Sequence, residues 1–240
     1  MTTAVASQAE LRLFVFKMDH VITAIKVQQR NPQRVSIDLD GEFAFGVARI
    51  LAAWLHVGKT LSDAEIAQLQ AKETLEAAYL AALRVIDYRP RTTTEIENKL
   101  TAKGFADAVI QATLKRLRAN GMLDDNRFAQ TWVENQSAFR PRGARALAFE
   151  LRRKGVADEV IAQTLQEIPP EEDLAYQAGK KQARKLVNLE RDLFRNRLSA
   201  FLARRGFSYG TITPVVSRIW TELHSHESQD DNLQERGIET

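Results

Sequence analysis

The sequence predicts a mainly α-helical protein built from three tandem three-helix repeats, with a small N-terminal β-hairpin or meander module in front of them. Three observations support this fold class. Leu, Ala, Arg, Glu and Gln dominate the 240 residues, against only 11 glycines and six prolines, which favours helix. A pattern of apolar residues and glycines returns after 51 residues, and then again after 51 more. Between residues 35 and 47, by contrast, apolar residues alternate as they do in strands.

Residues 1–18 have no clean hydrophobic period, and we expect a disordered leader there. Residues 19–60 are predicted to form the small β module, with a short helix around residues 48–55. Asn31 and Pro32 mark its first turn. An odd loop would keep Leu39 and Phe43 on one face, so we predict a three-residue turn over residues 40–42.

Residues 61–122 are predicted to hold a long helix and the first repeat. Ser62 and Glu65 match a capping box that begins the long helix. The three helices of this repeat are expected at about residues 73–87, 92–103 and 107–119. The second repeat follows at residues 123–169 and the third at residues 170–221. An acidic polar tail over residues 222–240 completes the chain.

The repeat is anchored by Gly104, Gly155 and Gly206, each preceded by a basic residue and by a leucine four positions earlier. Residues 89–91 and 140–142 are both Arg-Pro-Arg, again 51 residues apart. We interpret each glycine as the left-handed residue after a helix, although the turn of a DNA-binding helix-turn-helix has the same outline. Proline disfavours helix in the preceding residue, so Arg-Pro separates two helices.

No residue pattern indicates catalysis or a cofactor, so we expect a protein that is not an enzyme. Cysteine is absent, which excludes disulfides, thiolate zinc sites and cysteine nucleophiles. Of the four histidines, only His224 and His226 lie close together in sequence, and no phosphate-binding or dinucleotide motif occurs. No apolar run approaches the roughly 18 residues of a membrane span, and the start lacks a signal peptide, so a cytoplasmic location is expected.

Positive charge is concentrated in the second and third repeats. Residues 173–220 contain ten Lys and Arg against three acids, whereas residues 221–240 contain one Arg against six acids. These clusters indicate either a solvated helix surface or a surface for a polyanion or an acidic protein, and charge alone leaves both open. The candidate binding residues are Arg140, Arg142, Arg145, Arg152, Arg153, Lys154, Lys180, Lys181, Arg184 and Lys185.

Two other features of the second repeat have a structural interpretation. Asp124 and Asp125 are expected to cap the first helix of the repeat, because carboxylates stabilise a helix N-terminus. Phe128 and Trp132, four residues apart, are expected in the core rather than as a platform for stacking bases. In the third repeat, residues 180, 181, 184 and 185 are expected to share one helical face.

The order of these blocks resembles the RecX family. The resemblance rests on residues 88–104, on residues 121–129 and on the run from Arg142 to Val156, and it is close over residues 73–168. The strand, Asp-Gly-Glu and strand over residues 35–47 resemble the N-terminal module of longer members. The resemblance implies an elongated array that lies in the groove of a RecA filament on single-stranded DNA. It also implies inhibition of filament growth, ATP hydrolysis, strand exchange and repressor cleavage, with no enzymatic activity.

The expected partners are therefore the RecA filament and single-stranded DNA, bound directly or through the filament. No membrane and no cofactor are expected, and we expect a monomer. One alternative is a helix-turn-helix DNA-binding regulator independent of RecA, which would prefer a duplex sequence. Another is a helical scaffold for an acidic protein, whose affinity would lack the steep salt dependence of phosphate contacts.

Overall fold

The computed structural model describes residues 19–225, so the predicted leader and residues 226–240 of the predicted tail lie outside the described residues. The strands are β1 (Asp19–Gln28), β2 (Asn31–Leu39), β3 (Glu42–Ala48) and β4 (Thr60–Ser62). The helices are α1 (Asp63–Tyr88), α2 (Thr93–Thr101), α3 (Asp107–Ala119), α4 (Asp125–Phe139), α5 (Ala144–Arg153), α6 (Asp158–Gln166), α7 (Glu171–Ala183), α8 (Arg191–Arg204) and α9 (Tyr209–Ser225). The mainly helical fold class with an N-terminal β module is confirmed.

The N-terminal strands form one antiparallel sheet in the order β3-β2-β1-β4. Inward residues of the sheet form its core together with the start of α1, and Ile22, Ile37 and Leu61 are fully buried there. Strand β4 is an addition to the predicted meander: its three residues pair with residues 19–21 of β1. A strand of three residues is too short to show a hydrophobic period in the sequence.

The turn between β2 and β3 differs from the predicted one. Leu39 pairs with Glu42, so the loop has two residues, Asp40 and Gly41, both with positive φ. The odd residue lies instead in a bulge of β3, because Ile37 is opposite Phe45 while Asp38 is opposite Phe43. The bulge places Phe43 on the outer face, where 67% of it is exposed, so the prediction that it shares a face with Leu39 is wrong.

The predicted short helix around residues 48–55 is also wrong. Residues 49–54 form successive turns, in which Leu51 N donates to Ala48 O and Leu55 N donates to Ala52 O. Ala52 and Leu55 are nevertheless buried in the core of the sheet module. A segment this short gains too few helical hydrogen bonds to offset the cost of nucleating a helix, so packing determines its path.

Helix α1 is longer than either helix predicted for its region. It runs continuously for 26 residues, and so merges the predicted long helix with the first helix of the first repeat. The capping box is confirmed: Glu65 N donates to Ser62 Oγ, and Ser62 N donates to Glu65 Oε2 at 2.8 Å. Glu73, in the middle of the helix, is an ion-pair partner of Arg34.

The described chain divides into two compact units, residues 19–81 with 107–113 and residues 82–106 with 114–225. The second unit contains the cores of the second and third repeats. Phe128, Leu147 and Leu151 lie in the first of these cores, and Phe194 and Leu198 in the second. Each core uses apolar residues spaced three or four positions apart along its helices, as the sequence predicts.

Helix α9 extends four residues into the segment predicted as tail. Residues 222–225 are helical, and Glu222 accepts hydrogen bonds from the Tyr176 hydroxyl at 2.5 Å and from Arg218 Nε at 2.9 Å. These bonds hold the pKa of Glu222 below its usual range. The acidic composition of residues 221–240 predicts a polar tail rather than a helical turn. The one acid in this turn, Glu222, instead has its partners within the third repeat.

Candidate functional site

The first and second repeats meet at the N-terminus of α2 and the turn that follows α5. The Thr92 hydroxyl donates to Lys154 O at 2.5 Å, and the Thr94 hydroxyl donates to Gly155 O at 2.9 Å. Thr92 is completely buried and also accepts from Glu95 N as the N-cap of α2. This contact is termed the first junction.

The second and third repeats meet through the equivalent segments, 51 residues later. Gly143 N donates to Arg205 O at 3.0 Å, and Arg205 Nη1 donates to Pro141 O at 3.0 Å. A Cβ on Gly143 would overlap the carbonyl of Gly206, so only glycine fits at that position. This contact is termed the second junction.

The repeated glycines are left-handed helix ends, as predicted, with φ of 82° at Gly104, 76° at Gly155 and 83° at Gly206. Two of them have an additional role in packing. A Cβ on Gly155 would lie 2.6 Å from Thr94 Cγ2, and a Cβ on Gly206 would lie 2.5 Å from Ala146 Cβ, whereas the same atom on Gly104 would meet nothing within 4 Å. All three glycines therefore end a helix, and Gly155 and Gly206 also permit the close packing at the two junctions.

Three cations surround one carboxylate at the first junction. Arg89 donates to both carboxylate oxygens of Glu95, at 2.9 and 3.1 Å, and Arg91 lies 3.9 Å from the same group. Burial alone would raise the pKa of Glu95, but the hydrogen bonds from Arg89 and the charges of Arg89, Lys154 and Arg91 lower it below its usual range. One carboxylate is thus shared among Arg89, Arg91 and Lys154.

A cleft of about 730 Å³ opens beside the first junction. Four cations and two aromatic residues line it: Arg89, Arg91, Arg127, Lys154, Phe128 and Trp132. Lys154 Nζ lies 5.8 Å from the Phe128 ring centroid and 6.0 Å from that of Trp132. Phe128 belongs to the core of the second repeat, as predicted, and Trp132 is half-buried against it.

The second junction has the equivalent cations with a different carboxylate. Positions 140, 142 and 205 correspond to positions 89, 91 and 154, and all three are arginine. The position of Glu95 is occupied by Ala146, and Glu150 is the ion-pair partner of Arg142. Burial lowers the pKa of Arg205, and the charges of Arg142 and Arg140 lower it further, which places three like charges close together.

The candidate residues of the second repeat divide by their partners. Arg142 pairs with Glu150, and Arg152 Nε lies 2.6 Å from Asp158 Oδ1. Lys154 lies in the first junction and is only partly exposed. The remaining three are exposed and have no ion pair within residues 19–225: Arg140, Arg145 and Arg153.

The candidate residues of the third repeat do not lie on one helical face, contrary to the prediction. Helix α7 ends at Ala183, so only Lys180 and Lys181 are helical, while Arg184 and Lys185 lie in the turn that follows. All four remain exposed. Lys180 Nζ donates to the Tyr176 hydroxyl at 3.0 Å, whereas the other three have no ion pair or side-chain hydrogen bond in the described part of the chain.

The sequence analysis missed the cations that complete the junctions. In the sequence, Arg205 is only one of the ten cations of residues 173–220, and Arg89 and Arg91 belong to the repeated Arg-Pro-Arg segment. The 51-residue offset was the signal that relates them, since it places Arg205 at the position of Lys154. Asp124 caps α4 as predicted, by accepting from Arg127 N at 3.0 Å, while Asp125 accepts from Thr93 N at 2.8 Å and joins the first two repeats.

No group of three or more potential metal ligands occurs within residues 19–225. Of the two histidines near the C-terminus, His224 stacks on Trp220 with ring centroids 3.7 Å apart, and His226 lies outside the described residues. No helix in that part of the chain is long and apolar enough to cross a membrane.

The fold and its contacts define a class of protein: tandem three-helix repeats joined through glycine turns, with cations gathered at the junctions. Family models for RecX match the N-terminal domain at residues 20–62 and the first, second and third three-helix domains at residues 78–117, 124–165 and 170–216. The chain belongs to the RecX family of regulatory proteins, which is non-enzymatic.

Individual relatives agree with this assignment. The regulatory protein RecX of Bacillus cytotoxicus is 30% identical over 226 residues, covering 91% of this chain and 82% of its own. That of Mycobacterium leprae is 42% identical over 144 residues, covering 59% of this chain and 84% of its own. A crystal structure of regulatory protein RecX superposes with a TM-score of 0.65 at 26% identity, covering 80% of this chain and 96% of that one.

Proposed function

We propose that this protein binds the RecA filament on single-stranded DNA and inhibits or modulates the recombinase, ATPase and coprotease activities of RecA. The proposed partners are RecA and single-stranded DNA, and the proposed setting is a monomer acting in the cytoplasm. Membership of a family of regulatory proteins supports a role in binding rather than in catalysis. The part of the chain proposed to bind the filament is the second and third repeats, residues 123–169 and 170–221.

The observation that carries the proposal is a set of exposed cations without acidic partners. Cations on helix surfaces commonly pair with a carboxylate three or four positions away, and such a pair exerts little net attraction on an anionic partner. Six exposed candidate residues have neither an ion pair nor a side-chain hydrogen bond within residues 19–225: Arg140, Arg145, Arg153, Lys181, Arg184 and Lys185. Unpaired cations on repeat units are suited to a repeating polyanionic partner, because each phosphate contact releases condensed counterions.

In the first two repeats, the helix-turn-helix alternative is disfavoured by the charge of the helices that would read the bases. In that motif the N-terminal residues of the second helix approach the bases and phosphates. Here α6 begins with Asp158 and Glu159, and α3 begins with Asp107. Carboxylates at these positions repel phosphate, and the glycine turns before α3 and α6 are already explained as left-handed helix ends.

The proposal is tested by reversing unpaired cations and measuring RecA ATPase activity on single-stranded DNA. The variants Arg145→Glu with Arg153→Glu should restrain the RecA ATPase less than the wild-type protein does, because two attractive contacts become repulsive. A matched control, Arg30→Glu with Arg49→Glu, makes the same change of charge at exposed cations of the N-terminal module. Equal loss of inhibition in both pairs would mean that net charge, and not this surface, determines binding.

A further inference from the structure

Two strongly exposed aromatic rings occupy the same position in successive repeats. Helix α1 ends at Tyr88 and helix α4 ends at Phe139, 51 residues later. Tyr88 is 84% exposed and Phe139 is 78% exposed. One exposed ring on a surface is ordinary. Two exposed rings at the same repeat position, both at a helix end, indicate a common role.

Each ring precedes the Arg-Pro-Arg segment of its junction. Tyr88 is followed by Arg89 and Arg91, which meet Lys154 across the first junction through the shared carboxylate. Phe139 is followed by Arg140 and Arg142, and the Arg205 guanidinium donates to the carbonyl of Pro141 between them. An exposed ring beside several cations is the combination with which proteins bind single-stranded nucleic acid, since every base has a face that can stack.

The third repeat shows that the fold does not require this combination. Glu190 occupies the ring position there, and Leu193 occupies the position of the second arginine. Helix α8 nevertheless begins at the next residue, and the third repeat retains a full core around Phe194 and Leu198. Arg191 keeps the position of the first arginine, so the ring and the second arginine are the additions to the two junctions that the three-helix unit does not require.

We propose that each junction binds a segment of single-stranded nucleic acid directly, with Tyr88 or Phe139 stacking on a base and the adjacent cations holding the backbone phosphates. The inference rests on the proposed function in one respect: it assigns to this protein its own contacts with the strand on which RecA assembles. It extends that function, because these contacts require no RecA.

The two junctions differ in how much of their charge is free. At the first junction Glu95 interacts with all three cations. At the second junction Ala146 occupies the equivalent position, and Glu150 pairs with Arg142. Arg140 and Arg205 have no ion pair within residues 19–225. We therefore infer that the second junction supplies the larger share of the phosphate binding.

The test uses the full-length protein without RecA and a fluorescein-labelled thymidine oligonucleotide, with anisotropy measured over a series of KCl concentrations. Tyr88→Ala and Phe139→Ala should each weaken binding roughly tenfold with an unchanged salt slope, because they remove stacking and no charge. Arg140→Gln with Arg205→Gln should reduce the slope of log K against log salt by about 1.4, since each lost phosphate contact on a single strand contributes about 0.7.

Matched controls separate these effects from general ones. Phe43→Ala removes a ring that is 67% exposed in the N-terminal sheet, and Arg30→Gln removes an exposed cation there. Both should bind as the wild-type protein does. Equal thermal midpoints verify folding of the ring variants, as the high exposure of Tyr88 and Phe139 leads us to expect. The arginine pair loses the bond from Arg205 to Pro141 O, so its binding is measured well below its own midpoint.

Three results would overturn the inference. Wild-type protein that fails to bind the oligonucleotide would do so, as would ring variants that bind as well as the wild type. Tighter binding of polyglutamate than of the oligonucleotide at equal salt would instead assign the junctions to an acidic protein. Retained inhibition of the RecA ATPase alongside any of these would leave the proposed function intact, whereas oligonucleotide binding without inhibition would overturn the proposed function alone.

Discussion

The glycine at the first junction offers a direct test of how the repeats are joined. Gly155→Ala adds one methyl group at a residue whose φ is 76°, and that methyl group would lie 2.6 Å from Thr94 Cγ2. Gly104→Ala is the matched control. It adds the same group at a φ of 82°, at the same position of the first repeat, but with nothing within 4 Å. The two variants share the backbone cost and differ in the junction contact.

The expected free energies follow from these two terms. A left-handed alanine costs about 1–2 kcal/mol relative to glycine, and this cost applies to both variants. Overpacking at a tight contact adds about 1–3 kcal/mol, and this cost applies only to Gly155→Ala. Because the Thr94 hydroxyl also donates to Gly155 O, any shift that relieves the overlap lengthens a hydrogen bond between repeats. We therefore expect roughly 1–2 kcal/mol for Gly104→Ala and about 2–5 kcal/mol for Gly155→Ala.

Urea unfolding followed by far-ultraviolet circular dichroism measures both variants against the wild type. Hydrogen exchange of the amides in α2 and α5 then locates the effect, since opening of the junction should speed exchange in both helices. If Gly155→Ala were no more destabilising than Gly104→Ala, the glycine would serve only as a helix end. The repeats would then not be joined through close packing at Gly155.

Two further variants probe the same junction. Thr92→Ala removes both the cap of α2 and the bond to Lys154 O, and should lower the free energy of unfolding by about 1–3 kcal/mol in urea. Glu95→Gln tests the lowered pKa of that carboxyl: its contribution should be complete above the usual carboxyl pKa and should disappear as the pH falls through the folded-state value. The difference in stability between wild type and variant should thus shrink from pH 7 to pH 3, and a constant difference would contradict the ion cluster around Glu95.

The parts of the fold with a long hydrophobic period could be predicted from the sequence. Isoleucines and leucines at fixed offsets identified the three-helix repeats, and the glycines marked where α2, α5 and α8 end. The short features could not be predicted. The bulge of β3 and the strand β4 depend on pairing with residues distant in sequence, and segments of a few residues carry no period of their own.

The candidate site was predicted as a list of cations but not as an arrangement. Charge clusters in sequence identified Arg140 and Arg142, yet the pairing of Arg142 with Glu150 distinguishes it from its neighbour. Arg205 lies 63 residues beyond Arg142 in the sequence, and a contact between repeats brings it to them. Such contacts arise from packing, which a one-dimensional pattern of charge does not contain. The internal repeat is the exception, because it relates Arg205 to Lys154.

The most direct test of the central claim is the rate of ATP hydrolysis by the cognate RecA on single-stranded DNA, titrated with this protein at amounts well below one molecule per RecA. The account predicts inhibition at these substoichiometric amounts, because a regulator bound at few places on a filament affects many subunits. An unchanged rate, with RecA filaments verified in the same samples, would contradict it and would favour a DNA-binding regulator that acts without RecA.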